Sequence, residues 1–104
     1  MEKNEMNTEV SSVAKAAAAY AFGIPVQAIN HGSTRVACDA RRALSWFLKD
    51  VIGIGWGQQA PLLLRDASTL RHHYKKHTHF YDTDASYRES VRVMIEQLTQ
   101  KKDD

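Results

Sequence analysis

From Val36 to Val51 an apolar side chain returns every three or four positions: Val36, Ala40, Ala43, Leu44, Phe47, Leu48 and Val51. That spacing gathers them on one side of an α-helix and would scatter them over both faces of a strand. Nowhere does the chain sustain a period-two alternation, so an all-α domain is predicted. Ser33 or Thr34 is placed to cap the long helix, and Gly53 to end it. Arg35 and Asp39, four residues apart on its first turns, are expected to pair.

The remaining segments read the same way. Glu9–Phe22 is rich in helix formers, with Val10, Val13, Ala14, Ala17 and Ala21 on one face and Gly23 as a left-handed stop. Its Ala16–Ala19 run makes a surface that another helix can approach closely. Pro25 opens a short helix ending near Asn30. After the glycines at 53, 55 and 57, about two helical turns run from Gly57 to Leu64 around an awkward Pro61. Asp66 then caps a helix starting at Ala67 that buries Leu70 and Tyr74. The last helix starts at Asp84, or at Ser86 with Glu89 as a capping box, and carries the stripe Tyr87, Val91, Met94, Ile95 and Leu98. The expected organisation is a flexible leader over 1–8, a helical domain over 9–80, and a C-terminal amphipathic helix with a frayed tail over 81–104.

Composition narrows the function. At 104 residues, 43% hydrophobic and 25% charged, the chain suits one soluble domain with one core. No apolar run approaches the roughly 20 residues of a membrane span, and the first ten residues lack a secretory hydrophobic stretch. The single cysteine, Cys38, builds neither an internal disulfide nor a zinc site alone. A cytoplasmic location is therefore expected. No phosphate-binding loop, catalytic triad or paired-carboxylate spacing appears, so no enzyme and no cofactor are expected. His73 and His77 stand four apart near His79 and Asp82, but no full ligand set is evident and no metal is expected.

The net charge of +2 hides a segregation. Residues 31–79 hold eight Lys/Arg against three Asp, a net of +5, and all five histidines; the segments on either side are net acidic. A basic middle of this kind implies a polyanion-binding face. Within it, two short helices meet at a tight break, the second polar and basic outside, as a helix-turn-helix requires. Asp66, Ala67, Ser68 and Thr69 occupy the first turn of the second helix, where short side chains reach base edges in a major groove. Arg71, His72, Lys75 and Lys76 lie farther along, within reach of phosphates, and Arg41 and Arg42 on the long helix are expected to add phosphate contacts. Trp46 and Trp56 are read as packing residues.

The order STRVACDARRALSWFLKDVIGIGWGQQAPLLLRDASTLRHHYKK, with VAKAAAAYAFGIPVQAI before it, resembles the C-terminal DNA-binding domain of DnaA, the bacterial chromosomal replication initiator. The likeness covers roughly residues 10–80; its specific part is Arg65-Asp66-x-Ser68-Thr69-Leu70 plus Ala40-Arg41. It implies a five- to six-helix fold of the Trp-repressor and DnaA C-terminal kind. It also implies that Arg35 enters a minor groove as the basic-loop arginine, that Asp66, Ser68 and Thr69 read or frame bases, and that Arg65 matches the signature's arginine. Ala67 replaces the family's base-contacting histidine, and WGQQAPLLL matches the first helix of the motif only loosely. The implied function is sequence-specific binding of double-stranded DNA in replication initiation or transcription regulation, in the manner of a small phage or mobile-element regulator. The rival expectation is a protein–protein adaptor in which the amphipathic C-terminal helix (Tyr87–Leu98) and the alanine-rich first helix present apolar surface to a partner, the C-terminal helix also serving a homodimer.

Overall fold

Residues 3–99 are described in the computed structural model, and they form six α-helices and no strand. The expected fraying beyond Lys101 lies outside the described residues. The radius of gyration, 12.8 Å, matches the roughly 13 Å of a single 100-residue domain.

Helix α1 (Lys3–Phe22) starts six residues before the predicted Glu9, so most of the expected leader is helical. Once an alanine-rich segment has nucleated a helix, each added turn costs little. Its buried face is Ser11, Ala14, Ala17, Ala18 and Ala19, while Val13, predicted inward, is 62% exposed. The small side chains let α3 and α6 come close, and Val13 falls outside that seam. Gly23 (φ +68°) stops the helix. Helix α2 (Gln27–His31) follows Pro25 and is one short turn.

Helix α3 (Arg35–Trp46) is capped by Thr34, whose Oγ1 accepts the Ala37 N–H at 3.1 Å. It runs on without a break into a wider π-helical turn, Phe47–Ile52, closed by Gly53 at φ +92°. A π turn adds a residue per turn and shifts the angular phase. Phe47 and Leu48 therefore stay buried, whereas Val51, predicted in the stripe, is 56% exposed. Val36 is exposed as well, on a different side of the first turn from the buried Ala37. Ala37, Ala40, Ala43 and Leu44 form the buried face, against which α1 and α5 pack.

Helices α4 (Trp56–Leu63) and α5 (Ala67–Thr83) follow the glycine joint. Pro61 lies inside α4 and leaves the Gly57 carbonyl without its helical donor. Helix α6 (Ala85–Thr99) is capped by Asp84, whose Oδ1 accepts the Tyr87 N–H at 3.0 Å; the Ser86–Glu89 capping box does not form. Tyr87, Val91 and Met94 are buried, and Ile95 and Leu98 pack at the margin. The C-terminal helix thus closes the core of its own chain against α1 and α5.

Candidate nucleic-acid interface

Two buried polar side chains set the angle between α4 and the rest of the molecule. Ser45 on α3 and Gln59 on α4 are both fully buried. The Ser45 hydroxyl donates to Gln59 Oε1 at 2.7 Å, and Gln59 Nε2 donates to the carbonyls of Ser45 (3.2 Å) and Ile54 (2.8 Å). Buried amides must be satisfied, so α4 has one seat on α3. The link to α5 is a three-residue turn in which Leu64 adopts the left-handed conformation (φ 54°) and Asp66 takes the N-cap position. The Asp66 carboxylate makes no capping hydrogen bond. Helices α4 and α5 are thus two helices joined by a three-residue turn.

Leu70 and His77 point inward from α5. The opposite side carries Ala67, Ser68, Arg71, His72 and Lys75, at the i, i+1, i+4, i+5, i+8 spacing of one helical face. These five, with Trp56 and Gly57, line an open groove of about 480 Å³. Ser68, Arg71, His72 and Lys75 are exposed. Thr69 and Lys76 are exposed too, on the adjoining strip rather than in the groove.

Trp56 has a larger part than packing. Lys49 Nζ lies 5.2 Å and Arg71 Cζ 5.7 Å from its ring, and Tyr74 meets it edge-on at 5.4 Å. An aromatic face under two cations holds their stems in place while the charges stay accessible. Neither Lys49 nor Trp56 was singled out from sequence as part of a binding face. The available signal was the glycine-bracketed Gly55-Trp56-Gly57, which places an aromatic ring at a joint.

Arg41 and Arg42, expected to meet phosphates, and Arg65, expected at the DNA interface, are held by partners within the protein instead. Arg41 is 3% exposed; its Nη1 donates to the carbonyls of Ile29 (2.8 Å) and Ala28 (3.4 Å). Arg42 is 9% exposed, pairs with Asp39 at 2.8 Å, and lies 4.0 Å above the Phe80 ring. Asp39 therefore pairs three residues along with Arg42, not with Arg35. Arg65 is half-buried and donates to the carbonyls of Asn30 (2.6 Å), Leu64 (2.9 Å) and Gly32 (3.4 Å). Long side chains next to a helix C-terminus find carbonyl oxygens there, and sequence spacing does not reveal those oxygens. Arg35 stays exposed at the start of α3.

These internal cations govern the histidines beneath α5. Burial, reinforced by Arg42, Arg41, His72 and Arg65, lowers His73 to about 4. Burial and Arg42 bring His77 to about 4, against the opposite pull of Asp50 and Asp82. Both rings are neutral near pH 7. His77 stacks on Trp46 at 4.4 Å, and its Nδ1 lies 2.8 Å from the Tyr87 hydroxyl. The Arg42 guanidinium lies 5.3 Å over the Tyr87 ring. Among the described residues no group of three or more His, Cys, Asp or Glu is arranged to hold a metal ion.

No family model, curated protein or solved structure matches the chain.

Proposed function

We infer that this chain is a double-stranded DNA-binding domain that reads sequence with α5 in the major groove. The observation that carries the reading is the solvent face of α5, where a short hydroxyl side chain at the first turn gives way to Arg71, His72 and Lys75 beside the Trp56 platform. That order, short polar groups at the helix start and long cations behind, matches base edges at the groove floor and phosphates at its walls. Ser68 and Thr69 would read bases, with the Ala67 methyl beside them. Arg35, Lys49, Arg71, Lys75 and Lys76 would neutralise phosphates. Arg41, Arg42 and Arg65 are left out, because their guanidinium groups already serve carbonyls, a carboxylate and a ring.

This reading fits the resemblance to the replication initiator's DNA-binding domain and implies a cytoplasmic protein acting in replication initiation or transcription regulation. The adaptor reading has one observation in its favour. Val10, Val13, Phe47, Ile52 and Leu98 line an apolar groove of about 370 Å³. Of the α6 stripe, however, Tyr87, Val91 and Met94 are covered by the chain's own core.

The test is selection of bound duplexes from a random pool at fixed salt, followed by titration with salt. Five phosphate contacts give a slope of log affinity against log salt of about −4 to −5. Ser68→Ala should cost roughly 1–3 kcal/mol on the selected duplex and little on random DNA, and Lys75→Ala should flatten the slope by about one. A salt-independent affinity, or a pool that yields no enriched sequence, defeats the reading.

A further inference from the structure

We propose that Arg65 is a positioning residue whose guanidinium fork ties the loop from Asn30 to Arg35 to the turn before α5, so that loop and helix meet a duplex as one rigid unit. The proposal rests on the DNA-binding reading above and gives Arg65 a role other than touching DNA.

Helix α2 has only five residues, too few to hold its shape unaided, and its last carbonyls have no helical donors. The structure supplies donors from two sides. Arg41 reaches the carbonyls of Ala28 and Ile29 from α3. Arg65 reaches that of Asn30 with Nη1 and that of Gly32 with Nη2, while the same Nη1 also bonds the Leu64 carbonyl in the turn. One planar group thus links the end of α2, the loop beyond it and the turn between α4 and α5. The negative end of α2 favours cations there.

Gly32 shows how tightly the loop is seated. A side-chain carbon at this position would lie 2.7 Å from the Ala28 oxygen and 2.9 Å from Ala37 Cβ. The Gly32 N–H bonds back to the Ala28 carbonyl at 2.9 Å, and Thr34 caps α3. Held in this way, the loop turns Ser33, Thr34 and Arg35 to solvent. A cation whose task is to reach a phosphate gains nothing from three carbonyl partners. A fork that spans two loop carbonyls cannot be replaced by an ammonium point charge.

Arg65→Lys and Arg65→Gln in the full chain decide the matter. In the free protein, amide hydrogen exchange at Gly32 and Ala37 should quicken by about tenfold or more in both variants, with Leu44 in mid-α3 unchanged. On the selected duplex both variants should lose about tenfold in affinity, with random DNA and the salt slope unaffected. Unchanged exchange at Gly32 and Ala37 in Arg65→Lys overturns the proposal. A salt slope flattened by about one in Arg65→Gln and restored in Arg65→Lys also overturns it, because it makes Arg65 a phosphate contact. If the parent protein binds no duplex, the DNA reading falls by itself, and the exchange rates still decide whether the fork holds the loop.

Discussion

His77 illustrates how a residue's neighbours rewrite its chemistry. Four residues after His73 on a basic helix, it has the spacing of a metal-binding pair, although no metal is expected from sequence. Folded, it lies against Trp46 and Tyr87, neutral because it is buried, with Arg42 adding to the effect. His73 and His77 both fall from 6.5 to about 4. Their unfolded forms therefore take up protons below about pH 6.5 while the folded forms do not, so stability is full above 6.5, declines as the pH falls toward 4, and levels off below that. Denaturant titrations across this window should show the decline. His77→Gln, which keeps an acceptor for Tyr87, should reduce its steepness by about half, since one of two such groups remains. An unaltered decline in that variant would show that His77 is not held neutral. The same lesson applies to Arg41 and Arg42: their identity and spacing are plain in the chain, but the carbonyls and ring that occupy them come from α2 and α5.

Helix boundaries were legible wherever the signal was local. Thr34 and Gly53 act by the capping chemistry their residue types imply, and α5 starts at Ala67 as expected, although the Asp66 carboxylate makes no capping bond. The π turn was not, because no residue in Phe47–Ile52 marks it locally. Nor was the left-handed Leu64, which stands where a glycine is usual and leaves its side chain half in solvent. A β-carbon in that conformation costs about 1 kcal/mol. Leu64→Gly should therefore stabilise the domain by about 0.5–1 kcal/mol in thermal melts, less the extra freedom glycine brings to the unfolded chain. A lower melting temperature would mean that the Leu64 side chain contributes more by packing than its backbone costs.

For the molecule as a whole, α6 decides whether the chain is a two-part or a one-part structure. Val91 is fully buried where α6 crosses the core, and the next residue, Arg92, is exposed. Val91→Asp should cost about 3–5 kcal/mol or prevent folding, because it buries a carboxylate in the apolar core cluster. Arg92→Asp should shift stability by no more than about 0.5 kcal/mol. Equal melting of Val91→Asp and the parent would free α6 from the core and restore it as a docking element.

The amino-acid sequence by itself determined the all-α class, the order and approximate limits of the helices, and the basic polar side of α5. Each depends on spacing within one helix, and 3.6 residues per turn can be read without knowing what lies opposite. Tertiary structure alone decided which cations remain in solvent. Asp39 is a local partner of Arg42 within α3, but the end of α2 that occupies Arg41 and Arg65 and the Phe80 ring beneath Arg42 come from other elements. A long cationic side chain is satisfied by whatever acceptors and rings the fold brings near, and most of these lie outside its own helix.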